Sequence, residues 1–255
     1  CDWVGRAAQW LKPLHERLLA SLRASPKLFA DETKVPVLDP GRGRTKTGQL
    51  WAYARDDRPW QGALAPAVAY LYAADRSAAQ VSDHLQGFTG VLQVDGYGAY
   101  RKFSETTGVA LAFCWAHARR RFYEIAKANA APIADEALKR IAALYAIEAE
   151  IRGRSAEQRR TARRERTKPL LDALEPWLKE KLAAVAQNSP IAEAIRYALK
   201  HWPGLTRFVD DGRIEIDSNT VERAIKPQVL TRKNALFAGN DGGAAHWAIA
   251  ASLIE

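Results

Sequence analysis

The chain has 255 residues, 47% of them hydrophobic, enough to fill one large domain or a core domain carrying an insertion. No run approaches the roughly 18 apolar residues of a membrane span, no basic and apolar leader opens the chain at Cys1-Asp-Trp-Val, and two cysteines cannot build a disulfide framework, so a reducing cytosol is expected. Lys and Arg number 38 against 29 Asp and Glu, and the resulting +9 suits a polyanionic partner, most simply nucleic acid.

In chain order, Leu11, Leu14, Leu18, Leu19 and Leu22 recur at helical spacing and predict an amphipathic helix over Trp10–Leu22, ended by Ser25-Pro26. Leu28–Val35 predicts a strand with Asp31 in an apolar run. A buried, unpaired carboxylate is costly, so Asp31 is expected to meet a cation or a set of donors, or backbone groups at a strand edge. Asp39 to Gly48 is a loop by composition. Its Arg42, Arg44 and Lys46 suit tracking of phosphates, or plain solvation. No Gly-Lys-Ser/Thr follows its glycines, which excludes a phosphate-binding loop.

Gln49–Ala54 and Ala67–Tyr72 predict two strands of a hairpin or meander, with Asp56–Pro59 in the turn region. Ser77–Leu85 predicts a short helix. Val91, Leu92 and Val94 then predict a buried strand that Gly96 and Gly98 end at once. Asp95 sits at its C-terminal lip, where open α/β sheets carry their sites; the plain alternative is an Asp-Gly turn. Val109–Cys114 predicts a further strand. Cys114 and His117 have the spacing of half a zinc site, but no second pair follows and a closed site needs four ligands. Arg119, Arg120 and Arg121 beside aromatics suit nucleic acid, or a helix face in solvent.

From Asp135 to Glu193 the chain becomes helical in pattern. Leu138, Ile141, Leu144, Ile147 and Ile151 mark one helix, Ser155-Ala-Glu-Gln158 is a capping box for a second, Leu170 to Leu182 continues it or makes a third, and Ser189-Pro190 opens a fourth. Seven arginines between Arg152 and Arg166 predict a basic surface; the alternative is a charged helix pair that holds the fold together. A turn at Trp202-Pro-Gly204 precedes a predicted strand, Arg213–Asp217. Ser218-Asn219 then offers an N-cap for a helix with Glu222 in its first turn. Asn240–Gly243 predicts a turn and Ala244–Ile254 a last helix. The uncapped end and the absence of Met lead us to expect a piece of a longer polypeptide.

Asp31, Asp95 and Glu222 each stand at the edge of a predicted element with apolar neighbours. Brought together, three negative charges repel strongly. They stay ionised together around hard divalent cations, which take oxygen ligands. Two such ions about 4 Å apart clamp both oxygens of an in-line phosphoryl displacement.

Four ordered blocks carry a family resemblance: Ala30-Asp31-Glu32-Thr33, Val94 to Tyr100, Cys114 to Phe122, and Ile216 to Arg223. They resemble the signature blocks of bacterial insertion-sequence transposases, closest to the sixty-six type, as do Leu38 to Gly43 and Arg232-Lys233-Asn234. The resemblance implies an α/β fold: a ribonuclease-H-like mixed sheet flanked by helices, with an all-helical insertion before the last catalytic helix. On it, 1–25 is an N-terminal helical segment, 26–130 and 203–255 the catalytic core, and 131–202 the insertion, which accounts for the 127 residues from Asp95 to Glu222.

The resemblance further implies an Asp-Asp-Glu triad of Asp31, Asp95 and Glu222, both catalytic and metal-holding, with two ions of Mg²⁺ or Mn²⁺. DNA contacts would fall to Arg42, Arg44, Lys46, Arg119, Arg120, Arg223, Lys226, Arg232 and Lys233. Related transposases often carry a Lys seven residues after the Glu; here that position is Val229, and Lys226 stands in. Asn219 (a cap, or a holder of water) and His117 are supporting residues. The implied activity is strand cleavage that leaves a 3′-hydroxyl, then attack of that hydroxyl on target DNA. The alternatives are a nuclease or resolvase without strand transfer, and a truncated copy that binds DNA without catalysis. Implied partners are the element ends and the target DNA, a second copy of the chain, and accessory proteins of the same element. The expected place is the bacterial cytoplasm at the nucleoid, with no membrane. The family's N-terminal DNA-binding portion and C-terminal tail are expected to lie outside this chain.

Overall fold

The computed structural model describes residues 2–128 and 130–255, Asp2 by its backbone alone. Cys1 lies outside the described residues, and Cys114 is a buried free thiol. In chain order the elements are α1 (Asp2–Arg23), β1 (Lys27–Asp39), β2 (Arg44–Arg55), β3 (Ala67–Ala73), α2 (Ala78–His84), β4 (Val91–Val94), α3 (Gly98–Thr107), β5 (Ala110–Phe113), α4 (Trp115–Ala128), α5 (Pro132–Ile151), α6 (Ala156–Ala162), α7 (Lys168–Ala184), α8 (Pro190–Lys200), α9 (Trp202–Thr206), α10 (Asn219–Ala235) and α11 (Asp241–Ile254). The architecture is α/β, with one five-stranded mixed sheet of order β3-β2-β1-β4-β5 flanked by helices. Two compact units are present: Cys1–Asp56 with Ala65–Leu111 and Asn219–Glu255, and Asp57–Leu64 with Ala112–Ser218.

In the first unit, β1, β2 and β3 form an antiparallel meander, and β4 lies parallel to β1. The loop expected from Asp39 to Gly48 is far shorter, because β1 runs on to Asp39 and β2 starts at Arg44. Gly41 and Gly43, at φ +86° and +63°, take the left-handed conformations that let four residues reverse the chain. The free edge of the β1 arm is covered as well: Ala238 exchanges backbone hydrogen bonds with Pro36 and Leu38. Alternation along the strands separates two faces. Phe29, Val35, Val37, Leu50, Ala52 and Ala54 pack with Val221 and Ile225 of α10 and Ala244 and Ala248 of α11. Trp51 and Tyr53 point the other way, where Trp51 meets Tyr100 of α3 and both meet His84 of α2 edge-on.

Helix α1 is longer than predicted and uses a different face. Ala8, His15, Leu19 and Leu22 are buried, whereas Leu11 and Leu14 of the expected stripe are exposed. His15 explains the rotation, since its Nε2 lies 2.9 Å from the buried Tyr70 carbonyl and ties the helix to β3.

The second unit is built of α4 to α9. The capping box forms at α6, with Ser155 accepting from the Gln158 N–H, and Ser189 caps α8 by accepting from the Ala192 N–H. A π-helical turn, Arg163–Thr167, joins α6 to α7. The predicted basic surface is corrected here. Arg159 and Arg163 are buried and pair with Glu148, Arg159 also reaches Glu215, and Arg160, Arg164 and Arg166 pair with Glu157, Asp210 and Glu150. Arg159, Arg163 and Arg166 tie this stretch to α5, whereas Arg160 pairs within its own helix and Arg152 and Arg154 are exposed. The predicted strand at Arg213–Asp217 does not form either. The Asp211 carboxylate accepts both the backbone N–H and the guanidinium of Arg213, which curls the chain, and the Ile216 carbonyl accepts from the Trp115 N–H. Trp202-Pro-Gly204 opens the short helix α9 rather than a turn, with Gly204 so close to Phe113 that a Cβ there would fall 2.2 Å from the ring.

Candidate functional site

Three carboxylates of the first unit come within electrostatic reach of one another beside the C-terminal end of β4. The parallel register pairs Phe29 with Gln93, and two residues further on it brings Asp31 level with Asp95, just past the end of β4. Gly96, at φ +99°, turns the chain there, and the Asp95 Oδ1 accepts the Tyr97 N–H at 2.8 Å. Asp31 lies on the same face as Phe29, the face that α10 covers. Val221 and Ile225 are buried on either side of Glu222, at a gain of about 1.5–3 kcal/mol each. Tyr70 also donates its hydroxyl to the Ala224 carbonyl at 2.6 Å. These anchors set the turn of α10 that carries Glu222.

Asp31 Oδ1 accepts the Glu32 N–H at 2.8 Å. Burial, then the charge of Glu32 and those of Asp95 and Glu222, push its carboxyl up to about 7 against that one backbone bond. Burial is the largest cause of that rise, and Asp95 and Glu222 add the smallest shares. Carboxylate oxygens of this kind are the donors that hard divalent cations take.

Behind Asp31, Glu32 points to the opposite face of the sheet. Its carboxylate is buried and accepts from the Arg76 guanidinium and, at 2.9 Å, from the Tyr100 hydroxyl. Burial still holds the Glu32 carboxyl above its ordinary range. The Arg76 guanidinium lies 3.6 Å over the Tyr97 ring, and the Tyr97 hydroxyl donates to the Arg76 carbonyl at 2.6 Å. Glu32, Arg76, Tyr97 and Tyr100 escape a reading of the sequence. Glu32 and the two tyrosines sit inside the blocks around Asp31 and Asp95, so adjacency was a usable signal, but Arg76 stands in a turn with no motif of its own.

The remaining predicted residues fall on both units. Arg223 and Lys226 are exposed on α10 beside Glu222, and Asn219 begins that helix. Val229 packs against the core, which explains a valine there. Arg232 is committed to β1, donating to the Thr33 hydroxyl at 3.0 Å and to the Lys34 carbonyl, while Lys233 is exposed. In the hairpin, Arg44 is exposed, Arg42 pairs with Asp39 at 3.2 Å, and Lys46 pairs with Asp241 at 2.6 Å. His117, Arg119 and Arg120 belong to the second unit, on α4. There the Cys114 thiol, raised by burial, accepts the Ser218 N–H at 3.3 Å.

The family model described as "Transposase IS66 family" matches residues 1–246. The uncharacterized protein y4jD of Sinorhizobium fredii (strain NBRC 101917 / NGR234) is 49% identical over 259 residues, a match covering 99% of this chain and 51% of that protein. The uncharacterized protein y4qI of the same organism is 45% identical over 262 residues, covering 100% of this chain and 48% of that protein. The chain spans about half the length of these curated relatives. No helix among the described residues is long and apolar enough to cross a membrane.

Proposed function

The chain belongs to the IS66 transposase family, and from that membership we propose that Asp31, Asp95 and Glu222 form a divalent-metal site where DNA strands are cut and joined. Family membership gives transposition as the type of function and DNA as the partner. The observation that carries the finer reading is the Asp31 carboxyl, buried in the negative field of Glu32, Asp95 and Glu222. A divalent cation would offset that field and let the carboxyl ionise.

The sheet supports a ribonuclease-H-like core, with an antiparallel meander extended by a parallel strand whose C-terminal end bears Asp95. The helices α5 to α8 we read as the all-helical insertion. Mg²⁺ or Mn²⁺, as two ions, is the proposed cofactor; when bound it supplies Lewis acidity at the phosphate and eases departure of the leaving oxygen. The chain's own share is to hold the three carboxylates in place, with Arg223 and Lys226 on the Glu222 helix free to neutralise the phosphates of the strand. Arg42, Arg44, Lys46, Arg119, Arg120, Arg232 and Lys233 are proposed as further DNA contacts, of which Arg42, Lys46 and Arg232 would exchange protein partners for phosphate. A homo-oligomer that pairs two element ends, accessory proteins and a cytoplasmic, nucleoid location complete the proposal.

Cleavage of duplex DNA in Mg²⁺ or Mn²⁺ tests it. Asp95→Asn is expected to lose on the order of 100-fold or more in rate, about 2.7 kcal/mol of barrier. An Asp95→Asn protein that cuts as fast as the parent would sink the metal site. Cleavage without any joined product would leave a nuclease and remove strand transfer from the proposal.

A further inference from the structure

Four side chains close a ring behind the carboxylates. Glu32 of β1 accepts from Arg76, in the turn after β3, through its Oε1 at 2.7 Å from Nε. Arg76 stacks on Tyr97 of the Asp95 turn, and Tyr97 returns a hydrogen bond to the Arg76 carbonyl. Tyr97 and Tyr100 meet edge-on at 6.1 Å, and Tyr100 closes the ring by donating to Glu32 Oε2. Two members are covalently close to the carboxylates: Glu32 follows Asp31, and the Tyr97 N–H holds Asp95 Oδ1. The ring therefore ties the backbone that carries Asp31 to the turn that carries Asp95.

We propose that Arg76 is a positioning residue for the metal site: by bridging Glu32 and Tyr97 it holds the Asp31 and Asp95 carboxylates in the geometry that takes the ion. This rests on the metal-site reading above. Side chains that orient metal ligands from behind typically contribute about 10–100-fold in metal affinity.

The sign of the effect separates positioning from simple charge. Arg76 is a cation near Asp95 and Glu32, so if it acted by charge alone, Arg76→Ala would tighten Mn²⁺ binding. As a positioning residue its loss weakens binding, by about 10-fold or more. The experiment is a calorimetric titration of Mn²⁺, with duplex DNA present, into the parent, Arg76→Ala, Arg76→Lys and Asp95→Ala, each checked by circular dichroism. Arg76→Ala is expected to bind more weakly than the parent. Arg76→Lys is expected to fall between them, since it keeps the ion pair with Glu32 and loses the flat stack on Tyr97. If Arg76→Ala does not fold, Tyr97→Leu takes its place, because it removes the stacking face from a half-buried position and carries the same expected loss. Affinity equal to or tighter than the parent's in whichever variant folds overturns the inference and leaves the metal site standing. A parent that binds no Mn²⁺, or binds it as well as Asp95→Ala does, overturns the metal site and the inference with it.

Discussion

Asp31 titrates near 7 in the folded protein against an ordinary 3.8, so the folded chain holds this proton more tightly than the unfolded one. Stability tied to the group is fully present below about pH 3.8 and is lost as pH rises through about 7. Asp31→Asn cannot ionise. It is expected to raise the unfolding free energy of the metal-free protein in urea at pH 8, by a few kcal/mol at about 1.4 kcal/mol per pK unit, and to gain little near pH 4. Equal free energies at pH 8 would show that burial and the neighbouring charges put no such penalty on the ionised carboxyl. His84 works in the other direction. Burial first, then Arg23, lower it to about 4 from 6.5, so its contribution is present above about pH 6.5 and lost as pH falls through about 4. The parent's own pH curve mixes the two, and only the difference between parent and Asp31→Asn isolates the carboxyl. The three carboxylates stand out in the sequence because they fall at the edges of predicted elements and inside the family blocks. Arg76 does not, since its partner in β1 is 44 residues distant and no local pattern links a turn arginine to a strand glutamate.

At the scale of elements, strands and helices were legible where the pattern was local. The four-residue strand β4 and the Ser155 capping box follow from alternation and from cap chemistry, and Ser155→Ala is expected to cost about 1 kcal/mol in thermal unfolding. The arginine run was misread because charge spacing along one helix cannot reveal which residues a second helix will cover. Glu148 decides the point. It receives Arg163 in a two-pronged pair at 2.8 and 2.6 Å, with Arg159 beside it. Glu148→Ala strands these buried guanidinium groups and is expected to cost about 3–5 kcal/mol, whereas Arg166→Ala, which breaks an exposed pair, should cost far less. Chemical denaturation of the two variants compares them directly, and similar losses would refute the distinction.

Taken whole, the molecule carries an excess of nine positive charges, and its association with duplex DNA is expected to weaken steeply with salt. Replacing both Arg223 and Lys226 by Ala should lower the slope of log K against log [salt] by about 2, one for each phosphate that is no longer neutralised. An unchanged slope would place the DNA elsewhere on the protein. The sequence by itself determined the class of the chain: its family blocks, its charge, the strands of its sheet (with one more that does not form) and most of its helices, all of which depend on residues near one another in the chain. Only the tertiary structure decided which charges are open and which are buried in pairs, that Asp31, Asp95 and Glu222 share one field across 127 residues of chain from the second to the third, and that Glu32, Arg76, Tyr97 and Tyr100 form one ring. Local patterns record what each residue prefers beside its neighbours, whereas electrostatic coupling depends on distance in space, which arises when the sheet sets its register and the helices dock upon it.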